Sequence, residues 1–219
     1  ENDVLSRYID VAQNYDATII VRITADCPLI DSNLIDAVIS LHKQKNVEYA
    51  SNTNPPTYPD GMDVEVFSIA ALEKAHVMAT SKFEREHVTP IMRSHPFSIA
   101  NLVSDSDFSE IRLTVDEKAD LHLVQWIVKQ FSEHDNFTWE QVIALRENQP
   151  EKFKLNQHFT RNEGSIMSSG QKLWKRATQI IPGGNMLLSK RPEMFLPNKW
   201  PAYFTHSKGC FVWDLDDTK

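Results

Sequence analysis

Hydrophobic and polar positions follow two different periods along the first 150 residues of this 219-residue chain. Apolar residues recur at helical spacing in DVLSRYIDVAQNY, DSNLIDAVISLHKQK, SIAALEKAHVMAT, EREHVTPIMRS, KADLHLVQWIVKQF and TWEQVIALREN. Short β-branched or alternating runs separate them: ATIIVRI, VEYAS, MDVEVFS, FSIANLV and IRLTV. Strand and helix in turn predict an α/β fold of three layers, with a mainly parallel sheet covered by helices on both faces.

The pattern changes after Pro150. Residues 151–167 have little sustained periodicity and are typical of a polar linker. SGQKLWKRATQII then predicts an amphipathic helix, and the remainder alternates around Gly209 like a hairpin, so residues 168–219 form a second, short α+β segment. Gly183 and Gly184 follow the helix as either a helix stop or a loop on the substrate side.

Charge divides the chain at the same place. Residues 151–219 hold 11 Lys and Arg against 6 Asp and Glu, a net charge of +5. Because the whole chain has a net charge of −7, residues 1–150 have a net charge of −12. Such an acidic domain repels phosphate backbones, which argues against a nucleic-acid partner. Only Gly61 lies before residue 164, so residues 1–150 contain neither a Walker loop nor a dinucleotide fingerprint.

Targeting signals and cysteine chemistry add little. The chain has no apolar run near the roughly 20 residues of a membrane span and no signal-peptide pattern at its start, so we expect a cytoplasmic protein without a membrane partner. Cys27 and Cys210 lack metal-ligand spacing and are expected to be reduced thiols.

Two predicted strands end at acids. Asp26 follows ATIIVRI, and Asp116 follows IRLTV. In a parallel sheet both would emerge at the carboxyl edge, where ligands bind. Two carboxylates there suit Mg²⁺, which takes one or two protein carboxylates and fills its shell with water and substrate phosphates. The alternative is that both acids cap turns, as Asp commonly does.

Four segments, VRITADCPLID, NPPTYPDGMDVEVFS, EREHVTP and IRLTVDEKADL, resemble in this order the sugar cytidylyltransferase family of the spore coat polysaccharide protein F group. Its relatives activate acylneuraminate and 3-deoxy-manno-octulosonate. The resemblance, over residues 1–150, implies a nucleotide-diphosphosugar-transferase-like fold and Mg²⁺-dependent cytidylyl transfer from CTP to an acidic or amino sugar, with a homodimer favoured. It also implies that Asp26 and Asp116 are the catalytic and metal-binding acids.

The same resemblance suggests substrate contacts. Asp63 and Glu65 share one strand face, which either lines the sugar pocket or is exposed to solvent. Arg22 lies in an apolar strand as either a paired core charge or a phosphate contact. Arg85 and His87 contact phosphate or a second subunit, or else form a helix-end network. Asn52 begins a loop that we expect to line the cleft.

The family begins with a basic, glycine-bearing loop that grips the CTP phosphates, and ENDVLSRY resembles a later part of it. We therefore expect an amino-terminally incomplete fragment with weak or no turnover.

The tail motifs IPGGN and KGCFVWDLDD resemble the amino-terminal segment of class III pyridoxal-phosphate aminotransferases, the glutamate-1-semialdehyde aminomutase group. The resemblance implies a bifunctional cytidylyltransferase and aminotransferase whose pyridoxal phosphate binds outside this sequence. Two alternatives stay open: an aminotransferase with an appended domain, and a non-catalytic nucleotide- or sugar-binding module.

Overall fold

The computed structural model describes residues 3–93, 95–131, 137–159, 161, 169–184, 191, 194 and 203–215. The chain divides into two compact units, Glu1–His158 and Phe159–Lys219. No helix among these described residues is both long and apolar enough to cross a membrane.

Helices and strands alternate along the first unit, as the hydrophobic pattern predicts. The helices are α1 Val4–Asn14, α2 Ser32–Lys45, α3 Ile69–Met78, α4 Lys82–His87, α5 Lys118–Val128, α6 Trp139–Asn148 and α7 Pro150–Phe153, with a 3-10 turn at Pro90–Arg93. The strands are β1 Ile19–Arg22, β2 Tyr49–Ser51, β3 Glu65–Ser68 and β4 Ile99–Asn101. Side chains cap several helices: Asp31 accepts a hydrogen bond from Asn33 N at the start of α2, for example.

The sheet is mixed, which corrects the prediction of a mainly parallel one. Its strand order is β1-β3-β2-β4, and β3 runs antiparallel to both of its neighbours, whereas β2 and β4 are parallel. The reason is that β3 returns between β1 and β2 with the opposite direction. Strands β1, β2 and β4 therefore share one direction, and their carboxyl ends lie with the amino end of β3 at one edge of the sheet.

The predicted strand IRLTV forms only an isolated bridge, between Arg112 and Asp60. Its backbone bonds two loops instead of one strand: Leu113 N donates to Asp60 O at 2.7 Å, and Val115 N donates to Asp26 O at 2.8 Å. This segment consequently ties the loop after β1 to the loop before β3.

Helices cover both faces of the sheet, as predicted. Tyr49 and Phe67 pack with residues of α1 and α3 in one core cluster. Their strand neighbours Ala50 and Val66 pack with residues of α2, α5 and α6 in the other. Because successive strand residues point to opposite faces, the two clusters are the two sides of a three-layer unit.

The first unit continues past the predicted domain boundary at residue 150. Phe153, at the end of α7, is buried in the core that faces α2 and α5, and Asn156 is 2% exposed. The first residues of the predicted linker 151–167 thus belong to this unit, which ends at His158. This polar segment lacks periodicity, but it is anchored to the unit by the buried ring of Phe153 and by the hydrogen-bonded amide of Asn156.

Gly61 marks a close approach of two backbones. Its φ is +97°, and a Cβ there would lie 2.5 Å from Thr114 N and 2.7 Å from Leu113 C. Glycine adopts this positive φ without strain, and it also lets the loop before β3 contact the segment that leads to Asp116.

His42, near the end of α2, predicts a pH dependence of stability. It is 6% exposed, and neither ring nitrogen meets a described partner at hydrogen-bonding geometry. Burial lowers the pKa of His42, against a smaller opposing effect of the Glu48 backbone. Because the unfolded chain then binds the proton more readily, the free energy of unfolding should fall as pH decreases below about 6.5, by at most about 1.4 kcal/mol per pH unit.

Urea denaturation between pH 5 and 7.5 measures this effect. His42→Leu should flatten the pH dependence, because it removes the group that must charge on unfolding. His122→Leu, at an exposed position of α5, is the matched control and should keep the slope of the unaltered chain. An unchanged slope in His42→Leu would contradict the assignment.

The second unit contains the predicted helix and hairpin. Helix α8 spans Ser169–Ile180, and strands β5, Phe204–Lys208, and β6, Phe211–Asp214, pair antiparallel. Gly209 turns the hairpin with φ +63°. Gly183 and Gly184 have φ values of +73° and +75° just after α8, which supports a helix stop. Asn185, Asp216 and Asp217 of the tail motifs lie outside the described residues.

Candidate active site

The shared edge of the sheet brings several predicted site residues together. Asp26 lies in the loop after β1, Asn52 directly follows β2, and Asp63 precedes β3. Asp26 O accepts hydrogen bonds from Val115 N at 2.8 Å and from Thr114 Oγ1 at 3.1 Å. These bonds place the loop that carries Asp26 beside the segment that ends at Asp116, although that segment is not a strand.

Negative charge accumulates at this edge. The pKa of the Cys27 thiol is raised to about 12, mainly by burial. A hydrogen bond with Thr24 opposes the rise, and the nearby carboxylates of Asp26 and Asp63 contribute to it. Cys27 is free, as expected, and is a buried thiol rather than a nucleophile. Carboxylates that disfavour a thiolate in this way favour a bound cation.

The chemistry of these donors fits Mg²⁺. Asp26 and Asp116 carry hard oxygen donors on adjacent segments, and the Asp116 side chain is 54% exposed. The described residues include no group of three or more His, Cys, Asp or Glu side chains placed to hold a metal. An ion bound by these two acids would therefore complete its shell with water or substrate phosphates.

A buried ion network lies behind Asp116 and was missed by the sequence reasoning. Arg112 contacts Asp120 through two bonds, Nε to Oδ1 at 3.0 Å and Nη2 to Oδ2 at 2.9 Å. It also contacts Asp60 at 3.2 Å and Asp116 at 2.7 Å. Asn156 donates to Asp120 Oδ1 at 2.8 Å. The only signal in the sequence is a basic residue in the apolar run IRLTV, four residues before Asp116.

Glu65 forms a second buried network at the same edge. It is 3% exposed and accepts from Arg22 Nη1 at 2.5 Å, from Arg93 Nη2 at 3.0 Å and from the Tyr49 hydroxyl at 2.6 Å. Burial alone would raise the pKa of Glu65, but the two guanidinium groups outweigh it and the pKa is lowered.

This network shows the protein partners of Glu65 and Arg22. Glu65 does not lie on a solvated strand face, because the sheet is covered on both sides. Arg22 is a paired core charge, and nothing in the pairing requires a phosphate. A substrate contact by Glu65, Arg22 or Asp63 stays a prediction.

The remaining predicted contacts lie in three different environments. Asn52 is fully buried, donates to Met62 O at 2.7 Å and accepts from Val64 N at 2.9 Å, so its amide joins β2 to the segment before β3. Arg85 pairs with Asp3 at 2.8 Å, a contact between α4 and the cap of α1. The ring of His87 packs 4.5 Å from that of Phe83 on α4. The Arg85–Asp3 pair joins two helix ends, and substrate binding by Arg85 and His87 stays a prediction.

Comparisons with known proteins agree with this architecture. The sequence model of a family described as cytidylyltransferase matches residues 1–165. A solved structure, of a cytidylyltransferase from Leptospira borgpetersenii serovar Hardjo-bovis, is similar with a TM-score of 0.67 and 32% identity, over 73% of this chain and 67% of that chain. This similarity confirms the predicted α/β nucleotidyltransferase-like fold.

Two relatives are similar over a large part of the chain. An uncharacterized protein of Methanocaldococcus jannaschii, MJ1063, is 34% identical over 160 residues, 71% of this chain and 64% of that protein. The spore coat polysaccharide biosynthesis protein SpsF of Bacillus subtilis is 27% identical over 156 residues, 69% of this chain and 64% of that protein. In both cases the matched part spans 64% of the relative's length.

Proposed function

The chain belongs to the cytidylyltransferase family, and from this premise we propose that its first unit serves Mg²⁺-dependent transfer of a cytidylyl group from CTP to a sugar. A sugar hydroxyl forms a bond to the α-phosphorus of CTP, the bond from that phosphorus to the pyrophosphate oxygen breaks, pyrophosphate leaves, and the hydroxyl proton passes to solvent. The observation that carries the proposal is the placement of the Asp26 and Asp116 segments side by side at one sheet edge, joined through Asp26 O.

Asp26 and Asp116 would hold the ion. Bound there, Mg²⁺ would offset the charge that develops on the phosphates. Asp63 adds negative charge at the same edge, as its effect on Cys27 indicates. The Glu65 network of Arg22 and Arg93 keeps the ends of β1 and β3 in register beside this site.

The proposed sugar is an acidic or amino sugar of surface polysaccharide synthesis. The similarity to a spore coat polysaccharide biosynthesis protein supports this class. We further propose that the active protein is a homodimer and cytoplasmic, and that it binds no nucleic acid. The −12 balance of residues 1–150 supports the last point.

We also propose that the second unit begins an aminotransferase fused to the cytidylyltransferase. The separation of a second unit from Phe159 onward supports the fusion, as do the glycine stop after α8 and the β5-β6 hairpin. Pyridoxal absorbance in the complete polypeptide, together with transamination of a keto-sugar, would test it. Pyridoxal absorbance without pyrophosphate release from CTP would instead favour an aminotransferase with an appended domain.

Removal of the metal should abolish CTP binding, and removal of either acid should weaken it. Calorimetric titration of CTP into the chain is expected to give binding with Mg²⁺ and none after chelation. Asp26→Asn and Asp116→Asn should each weaken it by at least about tenfold, since each removes one anionic ligand of the ion. Asp36→Asn, an exposed position on α2, is the matched control and should bind like the unaltered chain.

Binding that is independent of metal and insensitive to Asp26→Asn would contradict this function and favour a non-catalytic module. If the folded chain does not bind CTP, the next test is a longer polypeptide that supplies the phosphate-binding loop expected from the resemblance. Pyrophosphate release from CTP by that polypeptide, lost in Asp26→Asn, would then support the proposal, and its absence would contradict it.

A further inference from the structure

We propose that Arg112 is a positioning residue for Asp116: it holds one carboxylate oxygen so that the other can bind a divalent cation. The inference rests on the function proposed above. Arg112 Nη2 donates to Asp116 Oδ2 at 2.7 Å. Among the described residues none forms a hydrogen bond to Oδ1, and the side chain is 54% exposed. One oxygen thus bonds Arg112, and the other has no hydrogen-bond partner in the described part of the chain.

Arg112 can position Asp116 because the guanidinium itself has a single orientation. Its side chain is 7% exposed and donates two hydrogen bonds to Asp120. A third hydrogen bond runs from Nη1 to Asp60. A planar guanidinium held by two carboxylates cannot rotate to follow a third. Asp116 N also donates to Asp120 Oδ2, at 3.1 Å. The main chain and the side chain of Asp116 are therefore held by one rigid pair.

Asn156, 40 residues after Asp116 in the chain, also helps to hold the Arg112–Asp120 pair in place. Its Nδ2 donates to Asp120 Oδ1 at 2.8 Å and to Arg112 O at 3.1 Å, and the residue is 2% exposed. The segment after α7, which has no periodicity of its own, thereby contributes to the orientation of an acid at the sheet edge.

Two possible roles of Arg112 predict opposite changes in cation affinity when its hydrogen bonds are lost. If Arg112 positions Asp116, loss of its hydrogen bonds lowers cation affinity, because partners that orient a ligand typically account for 10–100-fold in affinity. If Arg112 only competes with the cation for Asp116, loosening it raises the affinity. The burial of Arg112 and its bonds to two further carboxylates favour positioning, since it cannot leave without exposing both of them.

Titration of the full chain with Mn²⁺ alone, followed by electron paramagnetic resonance of the free ion, distinguishes the models. Arg112→Lys keeps the positive charge but loses the planar guanidinium that bonds several carboxylates at once. Asn156→Ala removes two hydrogen bonds without changing any charge. Each should weaken Mn²⁺ binding by about tenfold or more. The matched controls are Arg146→Lys, in an exposed ion pair with Glu110, and Asn148→Ala, whose amide bonds its own helix. Both should retain the affinity of the unaltered chain.

The outcomes separate the inference from the proposed function. Unchanged or tighter Mn²⁺ binding in folded Arg112→Lys and Asn156→Ala, with loss in Asp116→Asn, overturns positioning and leaves the metal site standing. No Mn²⁺ binding by the unaltered chain overturns the metal site and the inference with it. Circular dichroism establishes that each variant is folded, and if Arg112→Lys is not, Asn156→Ala decides.

Discussion

Asp120→Ala should lower the free energy of unfolding of the first unit by about 4 kcal/mol. Asp120 is completely buried and accepts two bonds from Arg112, one from Asn156 and one each from the backbone N–H groups of Asp116 and Glu117. Alanine leaves these buried donors without an acceptor. Each donor that water cannot reach lowers the stability by about 1–3 kcal/mol. The change also breaks the capping box at the start of α5, in which Asp120 accepts a hydrogen bond from Glu117 N.

Urea denaturation followed by circular dichroism measures this loss. Asp36→Ala, at an exposed position of α2, is the matched control and should stay within about 0.5 kcal/mol of the unaltered chain. Burial would raise the pKa of Asp120, but its hydrogen bonds outweigh this and lower the pKa. The stabilisation is therefore present above the usual value of 3.8 and should fade as the pH falls below it. A loss below about 1 kcal/mol at pH 7 would contradict the role of Asp120 as the centre of the network.

Glu65→Gln should destabilise the first unit by about 3 kcal/mol. The substitution keeps the shape of the side chain but leaves Arg22 and Arg93 without their shared carboxylate. Removing one partner of a buried ion pair typically costs about 3–5 kcal/mol, because the other charge is left uncompensated. We expect the lower end, since the side chains of Arg22 and Arg93 are 17% and 39% exposed and water can solvate them in part.

The pH dependence distinguishes charge from shape at Glu65. The pKa of Glu65 is lowered, so its contribution is complete above the usual value of 4.5 and is lost as the pH falls through the lowered one. The difference between Glu65→Gln and the unaltered chain should therefore shrink in acid. Glu110→Gln, which breaks the exposed pair with Arg146, is the control and should cost less than about 1 kcal/mol. A pH-independent difference would indicate lost packing instead of lost charge.

The sequence predicted the helices well because their signal is local. The periods in α1, α2, α5 and α6 lie within single stretches of chain, and burial of one face is enough to place each helix against the sheet. Strand direction is not local. Nothing in VEVFS states that β3 returns between β1 and β2, and nothing in IRLTV states that its backbone joins two loops.

The candidate site was predicted in part for the same reason. Asp26 and Asp116 could be named because each acid follows a recognisable run, and because the flanking motifs resemble one family. Glu65 could be named, but its surroundings could not, since alternation in a strand does not show which distant side chains its acids meet. Arg93 and Asp120 were missed, because a charged residue on a polar stretch carries no local sign that it is an ion-pair partner.

Hydrophobic spacing and the cytidylyltransferase resemblance are properties of the sequence by itself, and they determined the layered α/β class, the change of character after the first unit and the two candidate acids. The tertiary structure alone decided the mixed strand order, the extension of the unit to His158 and the partners of each charge. The physical reason is distance along the chain: the pairs Arg22–Glu65 and Asp60–Arg112 join residues 43 and 52 positions apart. Such pairs exist only once the packed sheet has brought both partners to one edge.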